Sequence, residues 1–142
     1  MRRRTRADAR LRVACVVRNF EEASAALAAA RELGIELRLA SPRGAVHQLG
    51  VAYFHALSTM LGVPLTIDCD EAPGFVLEAV RLGAGEILYR GPRDVRRRLD
   101  ALARRAGARV RARLDRPRIE PRRGESPHIA LERALSRWIG KR

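Results

Sequence analysis

The sequence predicts an α/β domain in which five parallel strands are covered by helices on both faces. Three observations predict it: apolar, β-rich runs alternate with segments of helical period, glycines end most of those segments, and the element order is βαβαβαβαβ. Helical crossovers between successive strands favour parallel pairing. With 142 residues, the chain is long enough for one hydrophobic core and too short for two ordinary domains.

The first predicted unit is strand, helix, strand. Residues 11–17 are mostly apolar and rich in β-formers, which is typical of a strand. Residues 21–33 are rich in Ala and Leu and end at Gly34, so they predict a helix with a glycine stop. Residues 35–39 alternate apolar and charged side chains, which predicts a strand with one wetter face.

A long apolar helix and a third strand are predicted next. The helix runs from about residue 45 to 61, and Gly62 ends it. Residues 63–68 then predict a strand, in which Pro64 is tolerable near the start. The helix is predicted to face the sheet with the stripe Val46, Leu49, Tyr53, Leu57 and Met60.

The last two strands are each preceded by a predicted helix. One helix has Pro73 in its first turn and runs to Gly83, and residues 86–89 form the fourth strand. A further helix opens near Asp94 and ends at Gly107. Residues 108–114 alternate strictly and predict a fifth strand with three arginines on one face: Arg109, Arg111 and Arg113.

Charge in the strands predicts their order. The first, third and fourth strands are mostly apolar, whereas the second and fifth alternate with charge and so suit the edges of a sheet. This favours a three-layer, doubly wound sheet in the flavodoxin-like order 2-1-3-4-5. Half of a TIM-like (βα) barrel is the alternative.

The ends of the chain differ from the body. We predict that residues 1–10 are a basic, disordered arm, residues 11–115 the α/β domain, and residues 116–126 a linker rich in Pro and Arg. An amphipathic helix is predicted over residues 127–142, anchored by Trp138.

The net charge of +13 is concentrated at the two ends. Residues 93–142 carry +11, residues 1–10 carry +4, and the stretch between them carries −2. Clustered positive charge of this kind predicts binding to nucleic acid or to an acidic protein. Codon bias is the alternative, since 28 of the 29 basic residues are Arg. The candidate residues for polyanion binding are Arg2, Arg3, Arg4, Arg109, Arg111 and Arg113.

Absent residues exclude several kinds of catalysis. Lys141 is the only lysine, which argues against a Schiff-base aldolase, a pyridoxal phosphate enzyme and a Walker nucleotide site. His47 and His55 lie eight residues apart without ligands at metal spacing, so no metal site is predicted. No nucleophile and base can be paired, so whether the protein is an enzyme, and what cofactor it would use, stays open.

The two cysteines indicate the compartment. Cys15 and Cys69 both lie in strand-like runs, which favours free thiols in a reducing, cytoplasmic setting. The apolar run after the basic start ends at Val17, too early for a secretory signal, and no membrane span is predicted.

A ligand site is predicted at the carboxyl ends of the strands, where open parallel sheets bind ligands. Cations there suit a small anionic ligand, and Asp68 is the favoured functional carboxylate. Two alternatives stay open: polar residues are ordinary in loops, and Asp70 and Glu71 suit capping of the helix at Pro73. Cys69 is a poor nucleophile, because nearby carboxylates raise the pKa of a thiol. The predicted site residues are Ser41, Arg43, Gly44, Asp68, Asp70 and Arg90.

Residues 44–67 contain no Asp, Glu, Lys or Arg, although 32% of the chain is charged. The side of the long helix opposite its predicted stripe therefore lacks the charge that a solvent-facing side needs. We predict a homodimer through this side, at Val51, Phe54 and His55. The alternative is that the linker and the Trp138 helix fold over it.

Residues 67–74, Ile-Asp-Cys-Asp-Glu-Ala-Pro-Gly, resemble a turn of the form Asp-Cys-Gly-x-Ala-Pro-Gly, together with residues 45–50 and 79–85. The turn is that of a small family of uncharacterised α/β proteins from high-GC proteobacteria. The resemblance covers about residues 35–115, with Asp70 where the family has glycine. It implies an α/β fold and a cytoplasmic setting, and it implies no activity.

Overall fold

Six strands and six helices make up the structure, a computed structural model that describes residues 10–140. The predicted basic arm, including Arg2, Arg3 and Arg4, lies outside the described residues except for Arg10. The strands are β1 Arg12–Val16, β2 Glu36–Ala40, β3 Leu65–Asp68, β4 Glu86–Leu88, β5 Arg109–Arg111 and β6 Arg118–Ile119. The helices are α1 Phe20–Leu33, α2 Val46–Leu49, α3 Val51–Leu61, α4 Pro73–Leu82, α5 Arg93–Arg105 and α6 Pro127–Gly140.

All six strands belong to one parallel sheet in the order β5-β4-β3-β2-β1-β6. The predicted α/β class and the parallel pairing are confirmed. The predicted five strands and the order 2-1-3-4-5 are wrong, because β2 lies between β1 and β3 and a sixth strand pairs with β1. Successive strands are neighbours from β1 to β5, as they are in a (βα) barrel, the arrangement kept as the alternative.

The helices that connect β1 to β5 lie on one face of the sheet. A single core packs α1, α3, α4 and α5 against alternate strand residues, which include Cys15, Leu39, Ile67, Ile87 and Val110. Neighbouring helices of this layer contact one another in chain order. The predicted third layer is therefore wrong, and the other face of the sheet, here called the open face, has no helix among residues 10–140.

The open face explains why the observed strand order differs from the predicted one. Glu36 and Arg38 alternate with helix-facing residues of β2 and are exposed, although β2 is an interior strand. Their charge reflects a water-facing side of the sheet instead of an edge. Only β5, the other alternating strand, lies at an edge.

Gly50 divides the long predicted helix in two. Its backbone, at φ 86° and ψ 156°, is not helical, so the turn of α2 does not continue in phase into α3. The α3 side that faces the core carries Val51 and Phe54, both 0% exposed, beside Leu57, so of the predicted stripe only Val46 and Leu57 are buried. The dimer surface predicted at Val51, Phe54 and His55 is therefore wrong for the first two, and His55 is half-buried. The exposed large apolar residues of α2 and α3 are instead Leu49, Tyr53 and Met60.

The connection from β5 to β6 crosses the open face, and only residues 116–117 of the linker predicted over residues 116–126 belong to it, because Arg118–Ile119 form β6. Since β5 and β6 are opposite edges of the sheet, residues 112–117 connect them across its width, and we call this segment the strap. The predicted C-terminal helix is present as α6, which packs on α1 through Ala130, Leu131 and Ala134. No helix within residues 10–140 is long and apolar enough to cross a membrane.

Candidate functional site

Asp68 ends β3 with a carboxylate that is almost fully buried, its side chain being 2% exposed. Its Oδ2 accepts a hydrogen bond from Arg90 Nε at 3.0 Å and forms an ion pair with Arg90 Nη2 at 2.9 Å, and its Oδ1 accepts a hydrogen bond from the Asp70 amide at 2.9 Å. The buried Ser41 Oγ accepts a hydrogen bond from the Asp68 amide at 2.8 Å. A buried charge needs such partners, so these bonds fix the ends of β2, β3 and β4 relative to one another.

Asp70 lies two residues after Asp68 in the chain and contacts two basic side chains. Its Oδ1 is 3.4 Å from Arg43 Nε, and its Oδ2 is 3.2 Å from His47 Nε2. The Asp70 carbonyl accepts a hydrogen bond of 2.7 Å from the Arg90 amide. With φ at 51°, Asp70 has the left-handed backbone that glycine adopts most readily, at the position where the resembled turn has glycine.

Five of the six predicted site residues therefore belong to one network: Ser41, Arg43, Asp68, Asp70 and Arg90. Gly44 contributes a turn with φ 81° before α2 and is not part of the hydrogen-bonded network. Because α2 has only four residues, its dipole adds little to anion binding there. With His47 added, we call this network the rim cluster.

His47 is not among the predicted site residues, because its spacing from His55 indicates no metal site and no other role is predicted for it. Its ring lies 5.4 Å from that of Phe75 and half of its side chain is exposed. The signal that could have found it is its position, since the turn after β2 places it at the same edge as Asp70. The alternative of capping by Asp70 or Glu71 is wrong, because the N-cap of α4 is Ala72, without a side-chain hydrogen bond.

The basic residues of the rim cluster differ in availability. Arg90 is 20% exposed and is bound to Asp68, so its charge is already compensated and it serves to position the turn. The side chain of Arg43 is 60% exposed and that of His47 49%, and each contacts Asp70 through one nitrogen. Arg43 and His47 are therefore the groups that can contact a ligand from solvent.

Both cysteines are buried free thiols with raised pKa values, so they are poorly reactive. Burial raises the pKa of the Cys69 thiol to about 12, and the neighbouring Asp68 carboxylate adds to the shift. Burial also raises the pKa of Cys15 to about 12, with a smaller contribution from Glu22. The prediction that Cys69 is a poor nucleophile agrees with this direction, although burial is a larger cause than the carboxylates.

The second predicted set of cations lies at the β5 edge. Between Arg93 and Arg113 there are nine arginines and two aspartates, a net charge of +7. Arg109 lies 3.5 Å from Asp100, and Arg111 lies 3.4 Å from Glu86 and from Asp115. Five arginines of α5, β5 and the strap line one shallow hollow of about 400 Å³, which we call the arginine edge: Arg96, Arg97, Arg109, Arg111 and Arg113.

No family model matches the chain, and no curated protein matches it. The family resemblance described above therefore rests on the residues quoted for it. Within residues 10–140, no three His, Cys, Asp or Glu side chains are grouped so that they could hold a metal ion.

Proposed function

We propose that the protein binds a small anionic ligand at the rim cluster, through Arg43 and His47. The observation that carries this proposal is the pair of exposed basic side chains that Asp70 holds side by side, at 3.4 Å and 3.2 Å. Asp70 is itself held in place, because its amide donates a hydrogen bond to the buried Asp68 carboxylate, which Arg90 also binds. Preorganised donors of this kind bind an anion at low entropic cost.

The ligand competes with Asp70 for the two basic groups. An anion that approaches from solvent can bind the Arg43 and His47 nitrogens that Asp70 leaves free, since each contacts Asp70 through one nitrogen only. The negative charge of Asp70 opposes this binding and limits affinity. Removing that charge should therefore strengthen anion binding.

The experiment compares melting temperatures in sulfate and in chloride at equal ionic strength. Sulfate stabilises proteins in general, so the informative quantity is the part of its effect that depends on Arg43. We expect Arg43→Ala to reduce the sulfate effect and Asp70→Asn to increase it. Arg81→Ala is the matched control, because Arg81 is an exposed arginine on the helical side of the sheet. A sulfate effect in Arg43→Ala equal to that of the wild type would remove this site.

A second candidate function is nucleic-acid binding at the arginine edge. The observation that favours it is that three of the five arginines in the hollow, Arg96, Arg97 and Arg113, pair with no carboxylate among residues 10–140. Unpaired guanidinium groups on one surface attract phosphates and release counterions when they bind them.

The salt dependence of binding to a short DNA duplex tests this candidate. Replacing Arg96, Arg97 and Arg113 together by Gln should lower the slope of log K against log salt by about 0.9 for each lost contact. The same change at the exposed Arg31, Arg81 and Arg137 is the control. If both triple variants change the slope equally, the affinity comes from net charge and not from this surface. If the arginine edge binds an acidic protein instead of nucleic acid, the chain should show no binding to the duplex.

We also propose a cytoplasmic location. Its support is that Cys15 and Cys69 are both free thiols, as is usual in a reducing compartment.

A further inference from the structure

A cavity of about 260 Å³ lies between the strap and the open face of the sheet. Strand residues from β1 to β5 and strap residues 113–116 line it. None of the rim cluster residues is among them, so this cavity is separate from the rim cluster, although it shares Arg111 and Arg113 with the arginine edge.

The lining of the cavity is basic around an apolar floor. Two carboxylates, Glu86 and Asp115, accompany the arginines, so positive charge is in excess. The floor includes the buried side chains of Ala14 and Leu88 and the half-buried Leu114 of the strap. The arginines of the lining are Arg12, Arg38, Arg111, Arg113 and Arg116.

Asp115 shows where an acid group fits. From the strap, its Oδ2 lies 3.5 Å from Arg38 Nη1 and 3.4 Å from Arg111 Nη1, so one carboxylate oxygen bridges β2 and β5 across the open face. The side chain of Asp115 is 65% exposed. Ion pairs this exposed contribute little to stability, so an acid group from solvent can replace Asp115 at small cost.

We propose that this cavity binds a small organic acid with an apolar body, and that its acid group takes the place of Asp115 between Arg38 and Arg111. The apolar body covers Leu88 and Leu114, while the surplus arginines compensate the added negative charge. The volume lies just below the range of about 300–1,000 Å³ typical of drug-sized ligands, so the ligand has about one ring or a short chain. Asp115 of the strap competes with this ligand for Arg38 and Arg111.

The test is a titration of the ¹⁵N-labelled chain with benzoate, observed by NMR. We expect saturable shifts at the amides of residues 12–14, 86–88 and 111–116. Acetate has the charge without the apolar body, and benzyl alcohol has the body without the charge, so each should bind more than tenfold more weakly. Shifts confined to the rim cluster would support the anion site proposed there and overturn this one, and an absence of saturable shifts would overturn it as well.

Substitutions of Arg38, Arg111 and Asp115 test whether the benzoate carboxylate binds between the two arginines. Arg38→Gln and Arg111→Gln should each weaken benzoate binding about tenfold or more, since each removes a charged hydrogen bond. Asp115→Asn should strengthen binding severalfold, and its exposure makes it a variant that leaves the fold intact. Arg81→Gln is the control and should change nothing. Unchanged benzoate affinity in Asp115→Asn and Arg38→Gln would contradict the proposal.

Discussion

At the scale of residues, the rim cluster depends on one buried charge. Asp68 is 1% exposed, and three groups form hydrogen bonds with its carboxylate and amide, while Arg90 Nη2 adds an ion pair: Ser41 Oγ, the Asp70 amide and Arg90 Nε. Removing one partner of a buried ion pair is costly because it leaves the other charge uncompensated in a poorly polar environment. The exposed ligand-contacting groups therefore rest on a framework that tolerates little change.

We expect Arg90→Met to lower the free energy of unfolding by about 3–5 kcal/mol, because it leaves the Asp68 carboxylate buried without its cation. The double variant Asp68→Asn/Arg90→Met removes both charges and should recover part of that loss. Urea unfolding measures both, with Arg81→Met as the exposed control. A double variant less stable than Arg90→Met would contradict the ion-pair explanation.

At the scale of elements, Asp100 joins α5 to the edge strand β5. Burial opposes ionisation of Asp100, but hydrogen bonds from the Val110 amide at 2.8 Å and from Arg104 at 2.9 Å, with Arg109 nearby, hold the pKa of its carboxyl below the ordinary value. This carboxylate thus ties the arginine edge to its helix. It also makes part of the stability dependent on pH.

Asp100→Ala should destabilise the fold by about 1–3 kcal/mol, because it removes a charged acceptor from the Val110 amide. Since the pKa of Asp100 is lowered in the folded state, its contribution is present above the unfolded pKa and is lost as the pH falls through the folded pKa. The stability difference between wild type and Asp100→Asn should therefore shrink between about pH 7 and about pH 2. A difference that is constant with pH would argue against this role.

Most elements of the fold could be predicted from local sequence patterns, but the buried side of α3 and the strand β6 could not. The approximate positions of the strands and helices up to β5 could be predicted, because the strands have a local period and most of the helices end at a glycine such as Gly34 or Gly62. The buried side of α3 could not, because the non-helical Gly50 resets the phase between α2 and α3 and no periodicity carries across it. The sequence does not predict the two-residue β6, because so short a strand has no periodic pattern.

At the scale of the whole molecule, one layer of helices leaves the other face of the sheet to the strap and to water. Alternating charge indicates which face of a strand is exposed to solvent, but it does not indicate which strands lie beside it. The pattern of β2 therefore predicts an edge, although β2 is an interior strand. Most of the candidate site was nevertheless predictable. The carboxyl ends of parallel strands share one edge whatever their order, which brought Ser41, Asp68 and Arg90 together.

Self-association through α3 stays a prediction, with different residues from those first expected. Met60 is 70% exposed and Tyr53 38%, whereas Phe54 is fully buried. If a dimer forms here, Met60→Glu should separate it while leaving the melting temperature nearly unchanged, and Phe54→Glu should unfold the chain. Light scattering with thermal melting distinguishes these outcomes, and a monomeric wild type at micromolar concentration would end the hypothesis.

A titration of the ¹⁵N-labelled chain with inorganic phosphate, observed by NMR, tests directly whether an anion binds at the rim cluster. We expect saturable shifts of the Arg43 Nε–H resonance, the His47 ring and the amides of residues 69–71, because these groups surround Asp70. Arg43→Ala should abolish them. Saturable shifts confined to Arg109, Arg111 and Arg113, or none at residues 41–47, would contradict the claim.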